Sequence, residues 1–247
     1  MTRSKRLLIT GAATGIGAAG ARLLADQGWE LALLDRNAEA LGQLASELQA
    51  VAYVVDVTDT VGYPHALRRA INELGGLDAA WSNVGMQTNG TVEQASLDEF
   101  DRSWEVNVRS HVILGQVAIP ELRSNGGGVL LVTASNAGLQ TESRMAAYST
   151  TKAAAVQLVR LMARDHARDQ IRVNALCPGF VDTPFNAPVW ETYGGREAFL
   201  REVGEVVPLG RMSSAQEVAL HVRFLLSDDA SFLTGQAFAA DGGELVS

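Results

Sequence analysis

Thr10-Gly11-Ala12-Ala13-Thr14-Gly15-Ile16-Gly17 follows the apolar run Arg6 to Thr10 and opens a segment of helical period that reaches Gln27. The order strand, glycine turn, helix decides the reading of the whole chain. Glycines lack Cβ, so the backbone can turn sharply and approach a pyrophosphate, and the free N–H groups and positive dipole end of the helix then stabilise negative charge. Gly11, Thr14, Gly15, Ile16 and Gly17 are therefore candidate contacts to a dinucleotide. A tight strand-to-helix turn that holds no ligand is the plainer alternative. Gly28 suits the left-handed conformation common just past a helix end.

Working outward, short apolar runs alternate with longer segments of helical period, the pattern of repeated βαβ units. Strands are expected at Arg6 to Thr10, Glu30 to Asp35, Val51 to Asp56, Asp78 to Asn83, Gly128 to Ser135, Ile171 to Cys177 and Gln236 to Ala240. Besides the first helix, helices are expected at Pro64 to Leu74, Leu97 to Leu122, Ala147 to Ala167 and Ala215 to Leu226, with Phe185 to Val207 a long irregular insertion. The pattern predicts an α/β fold: one Rossmann-like domain over residues 1–247, a doubly wound seven-stranded parallel sheet with helices on both faces.

Composition narrows the function classes. The chain has 247 residues, 47% hydrophobic and 19% charged, and no apolar run approaches the length of a membrane span. A net charge of −8 with scattered Lys and Arg argues against a nucleic-acid partner. Arg3, Lys5 and Arg6 before Leu7-Leu8-Ile9 resemble a signal peptide, but Gly and Thr break the stretch and the strand reading uses the same residues. Cys177, the one cysteine, excludes an intramolecular disulfide, and His65, His111, His166 and His221 lack metal-ligand spacing. The expectation is a cytoplasmic protein without a metal.

Two acids end predicted strands at the edge where doubly wound sheets bind ligands. Asp35 stands 18 residues after Gly17, where a dinucleotide fingerprint places an acid on the adenosine ribose hydroxyls. Its neighbour Arg36 could instead hold a 2′-phosphate. Asp56 would face the adenine, or else cap the next helix in competition with Thr58 and Asp59.

These features, with Asn83-Val84-Gly85, Asn107, Ser135, Tyr148-x-x-x-Lys152, Pro178-Gly179 and Asp241-Gly242-Gly243 in order along the chain, resemble the short-chain dehydrogenase/reductase family. The resemblance implies a nicotinamide dinucleotide, which the acid at Asp35 makes NAD, with Asp56 and Val57 near the adenine and Asn83, Val84 and Gly85 lining the adenosine side. Val84 departs from the family's usual alanine. Pro178, Gly179, Val181 and Thr183 would contact the nicotinamide end. Implied substrate positions are Gln87, Ala137, Leu139, Met145 and Phe180.

Tyr148 and Lys152, four residues apart, share one helical face. An adjacent ammonium lowers a phenol pKa, so Tyr148 is expected to serve as general acid for ketone reduction and general base for alcohol oxidation. Lys152 would also hold the nicotinamide ribose, Ser135 the carbonyl or alkoxide oxygen, and Asn107 a water linking Lys152 to solvent. Each has a plainer alternative: Ser135 ending a strand, Tyr148 a half-buried aromatic, Lys152 a solvated residue, Asn107 a bond to helix backbone.

The aromatics Phe185, Trp190, Tyr193 and Phe199 of the insertion suit a lid over an apolar substrate or an oligomer contact. Arg144 is a surface residue or an acid clamp. The resemblance and the run of small residues at Ala146, Ala147, Ala153, Ala154 and Ala155 predict a homotetramer. The expected partner is a small alcohol or ketone. Two competing functions remain: an NADPH-dependent 3-oxoacyl thioester reductase, which Asp35 disfavours, and a non-catalytic dinucleotide-binding regulator, which the presence of both Tyr148 and Lys152 disfavours.

Overall fold

A computed structural model describes residues 4–246, apart from the side chains of Pro188, Glu191 and Thr192; Arg3 lies outside the described residues. Its seven parallel strands are β1 (Arg6–Thr10), β2 (Glu30–Asp35), β3 (Val51–Val54), β4 (Ala79–Ser82), β5 (Gly128–Thr133), β6 (Ile171–Pro178) and, last along the chain, β9 (Ala237–Ala240). They lie in the order β3-β2-β1-β4-β5-β6-β9. The strand order reverses between β1 and β4, which opens a crevice at the carboxyl ends of the strands. Among the described residues no helix is long and apolar enough to cross a membrane.

Both sheet faces are buried, so alternate residues of one strand feed two different cores. Leu8 and Leu34 face α3 (Gly62–Glu73), α5 (Ser110–Ser124) and α6 (Ala146–His166), where Leu67, Leu122 and Val159 meet them. Leu7, Ile9 and Leu33 face α1 (Gly15–Ala25), α2 (Ala38–Leu48) and α9 (Ala215–Leu226), through Leu24, Leu44 and Val222. Trp81 of β4 presses on α1 where Gly20 leaves room; a Cβ there would overlap the indole.

Three local expectations are corrected. Helix α2 is absent from the elements that the sequence predicts: its amphipathic signal is little more than buried Leu41 and Leu44, and Asn37 starts it by accepting the Ala40 N–H at 3.1 Å. The run from Leu97 to Leu122 is helical throughout, as expected, but not α-helical throughout. It is α4 (Leu97–Trp104), a π-helical turn (Glu105–Arg109) and α5. The insertion is not irregular either. After the short strand β7 (Val181–Asp182), which pairs with β8 (Ser213–Ser214), it forms α7 (Ala187–Thr192) and α8 (Arg196–Val206). These helices close over a small core of their own, made by Val189, Phe199, Val203, Val207 and Met212. That core joins residues up to 23 positions apart, from Val189 to Met212, which a local pattern does not report.

Candidate active site

The carboxyl ends of the strands open into one cleft of about 360 Å³, within the size range of small-molecule sites. At its centre lies the glycine loop. Gly11 has a φ of +64°, a conformation open to glycine at little strain, and a Cβ on Gly17 would overlap the Gly11 carbonyl oxygen. The loop is pinned from beneath: Asn83 Nδ2 donates to that carbonyl at 3.1 Å, while its Oδ1 accepts from the Thr133 hydroxyl at 2.8 Å. The N-cap residue of α1, Thr14, makes no side-chain cap, so the first turn keeps its N–H groups for a ligand. A dinucleotide pyrophosphate fits this cradle.

Of the sequence-predicted cofactor positions, Gly11, Thr14, Gly15, Ile16, Asp35, Arg36, Asp56, Val57, Asn83, Val84, Gly85, Pro178, Gly179, Val181 and Thr183 line the cleft. Gly17 lies beneath it. Asp35 is also bound into the backbone, since its two oxygens accept the N–H groups of Ala13 at 3.0 Å and Asn37 at 2.9 Å, which fixes the acid at the strand end. Asp56 does not cap α3. Asp59 is the acid at the start of that helix, accepting from the N–H groups of Val61 and Gly62, while Asp56 accepts from Thr58 and pairs with Arg102 at 3.3 Å. Arg102, on α4, lines the same end of the cleft and is not among the sequence-predicted positions, because no periodicity ties position 102 to position 56.

Ser135, Tyr148 and Lys152 converge on the opposite end. Ser135 follows β5, and its hydroxyl accepts the Ala137 N–H at 3.2 Å, so it does cap a short 3-10 turn (Asn136–Gly138) while also lining the cleft. Tyr148 and Lys152 lie on the first turns of α6, both buried. The plain readings of Tyr148 as half-buried and Lys152 as solvated do not hold. Lys152 Nζ donates to the Thr133 carbonyl at 3.1 Å and sits 5.7 Å from the centre of the Tyr148 ring.

The expected depression of the Tyr148 pKa is absent. Burial pushes the phenol up to about 12, with a Ser135 hydrogen bond opposing and the Glu142 carboxylate adding to the rise. Burial also pulls Lys152 down to about 8, because a charged ammonium loses its hydration there.

Asn107 sits on the π-helical turn, buried, and reaches neither its own helix backbone nor the open cleft. Its Oδ1 accepts the Met86 N–H at 2.8 Å, and its Nδ2 donates to the Met86 carbonyl at 2.9 Å and to Thr151 Oγ1 at 3.0 Å. This amide clamps the loop after β4 onto α6. Gly85 in that loop is close enough to Lys152 that a Cβ would come within 3.2 Å of Nζ.

The substrate end is lined by Gln87, Ala137, Met145, Phe180 and Phe185, together with Glu142, which is not among the sequence-predicted positions. Leu139 does not line it. Trp190, Tyr193 and Phe199 do not reach it; Phe199 is wholly buried against Phe180 and Tyr193, with ring centres 5.5 and 5.3 Å apart. Arg144 is exposed and lies outside the cleft.

A dinucleotide cradle facing a buried Ser-Tyr-Lys set defines a nicotinamide-linked oxidoreductase of the Rossmann type. A family profile described as enoyl-(acyl carrier protein) reductase matches residues 11–244. The meso-2,3-butanediol dehydrogenase of Serratia marcescens is 34% identical over 99% of this chain and 96% of its own length. The 4-formylbenzenesulfonate dehydrogenase TsaC1/TsaC2 of Comamonas testosteroni is 37% identical over 97% of each. The crystal structure of levodione reductase superposes with a TM-score of 0.95 at 28% identity, covering 99% of this chain and 100% of that one. The chain belongs to the short-chain dehydrogenase/reductase family. It is an oxidoreductase that moves a hydride between a nicotinamide dinucleotide and an alcohol or ketone.

Proposed function

We propose that the enzyme is an NAD(H)-preferring dehydrogenase of secondary alcohols in which Tyr148 is the general acid and base. The observation that carries this reading is the convergence of Ser135, Tyr148 and Lys152 at the end of the cleft away from Asp35. The bound dinucleotide supplies or accepts the hydride. Ser135 hydrogen-bonds the substrate oxygen, and Tyr148 passes the proton to it in reduction or removes it in oxidation. Lys152 holds the nicotinamide ribose. Asn107 positions the loop after β4 and the start of α6 against one another.

Preference for NAD(H) follows from Asp35. Its carboxylate is fixed by two backbone N–H groups and lines the cleft, whereas Arg36 is exposed. A 2′-phosphate beside that acid meets like charge, at about 1 to 4 kcal/mol for a 4 Å separation, roughly five-fold to several hundred-fold in affinity. Steady-state kcat/KM with each cofactor tests it: NADH exceeds NADPH, and Asp35→Ser narrows the gap because Arg36 can then hold the phosphate. A wild-type preference for NADPH overturns the assignment and revives the thioester-reductase reading.

The relatives act, by their names, on a neutral diol and on a sulfonated aldehyde. The insertion forms a lid in which Phe185, on the 3-10 turn (Pro184–Asn186) before α7 and 6.5 Å from the Tyr148 ring, is the part that meets substrate. A cytoplasmic location accords with the lone, buried Cys177. A homotetramer accords with exposed Ala153 on α6 and with the exposed apolar side chains of Leu161, Phe224 and Phe232.

A further inference from the structure

Glu142 sits in the loop between the 3-10 turn and α6 and lines the cleft beside Met145, Tyr148 and Phe185. Its charge is felt at Tyr148 inside the site and at Tyr193 and Glu244 around it, where it contributes to raising their pKa values. Burial raises the pKa of Glu142 itself from its ordinary value. The one side chain that offsets the burial of Glu142 is the neutral amide of Gln140, whose Nε2 also donates to Glu244 at 3.2 Å.

Cations do line the cleft, but each is either at its Asp35 end or already engaged. Arg36 adjoins Asp35, Arg102 is tied to Asp56 and Thr58, and Lys152 is turned onto the Thr133 carbonyl. Arg144, only two positions from Glu142, is exposed and lies outside the cleft. No described Lys or Arg is therefore left to receive an anionic group at the substrate end. A second acceptor stands there: Gln87 Oε1 is buried in the cleft wall without a described donor. An unmet buried acceptor is an unfavourable arrangement that a ligand with a donor relieves.

We propose that Glu142 selects the substrate by charge: the cleft takes a secondary alcohol or ketone bearing a second hydrogen-bond donor, a hydroxyl or an ammonium, and rejects carboxylates, sulfonates and phosphates. The proposal deepens the oxidoreductase reading and rests on it for the reacting carbon. A donor group meets the carboxylate of Glu142 and the amide oxygen of Gln87, while an anion meets uncompensated negative charge in a partly desolvated site, where charge pairs are strong. Discrimination on the order of tenfold to a hundredfold follows.

Two sets of alcohols test this, each pairing one secondary carbinol with a neutral, a cationic and an anionic second group: 1,2-propanediol, 1-amino-2-propanol and lactate on a three-carbon chain; and 1,4-cyclohexanediol, 4-aminocyclohexanol and 4-hydroxycyclohexanecarboxylate on a cyclohexane ring. In wild type, kcat/KM for the neutral or cationic member exceeds that of the acid by about tenfold or more, and Glu142→Gln narrows that gap by about tenfold. Calorimetric binding of the same compounds to the NADH-loaded protein separates the two readings. Charge-ordered binding without turnover supports the role of Glu142 and sinks hydride transfer. An acid bound or turned over as well as its neutral partner, a gap unmoved in Glu142→Gln, or binding of none of the six compounds overturns the proposal.

Discussion

Tyr148 carries its proton firmly in this structure, pushed up to about 12 by burial, while Lys152 is pulled down to about 8. The protonated phenol is the acid that ketone reduction needs, so reduction runs at neutral pH without adjustment. Alcohol oxidation needs the base form, which grows as pH rises. The oxidation kcat/KM is therefore expected to climb from pH 7 to 10; a flat or falling profile contradicts the assignment. Lys152 makes a separate prediction about stability. Its folded pKa lies below the unfolded one, so the folded state disfavours the ammonium, and the resulting penalty is full below about pH 8 and fades as pH rises towards the unfolded value of 10.5. Lys152→Met should therefore be inactive yet more stable at pH 7, by roughly 1 to 3 kcal/mol, with the advantage shrinking above pH 8. Thermal melts of the cofactor-free protein across that range measure it, and equal stability at pH 7 would count against the buried ammonium. The spacing of Tyr148 and Lys152 is legible in the sequence. Their pKa values are not, because burial is set by distant residues that pack over α6.

At the scale of elements, the glycine loop and α1 work as one unit. Gly17→Ala places a methyl against the Gly11 carbonyl oxygen and so displaces the turn that holds the pyrophosphate. NADH affinity measured by fluorescence titration should fall at least tenfold while the far-ultraviolet circular dichroism keeps its helical signal; unchanged affinity would remove the loop from the cofactor site. Strands β1 and β2 match their sequence ranges to the residue, because glycine and polar residues bracket buried apolar runs on either side. Helix α2 escapes a periodicity reading because its buried face is only two leucines wide, and the π-helical turn because a single extra residue per turn leaves the apolar spacing nearly intact. That turn seats Asn107, so its role against the Met86 backbone does not show in local sequence. Glu142 and Arg102 stay hidden for a related reason: both are charged loop or helix residues of ordinary kind, and only the folded chain brings them to the cleft.

At the scale of the whole molecule, the exposed apolar side chains favour self-association. Light scattering is expected to give four times the monomer mass at micromolar concentration, and a monomer throughout that range would refute the tetramer. The central claim, that this cleft moves a hydride under the control of Tyr148, is tested most directly by isotope transfer. Secondary alcohols deuterated at the carbinol carbon are incubated with NAD⁺ and either wild type or Tyr148→Phe, and the mass of the reduced cofactor is read. The prediction is NADH heavier by one deuterium in wild type, with the labelled product reduced at least a hundredfold in Tyr148→Phe although that variant still binds NADH. Label transferred equally by both proteins, or by neither, would contradict it.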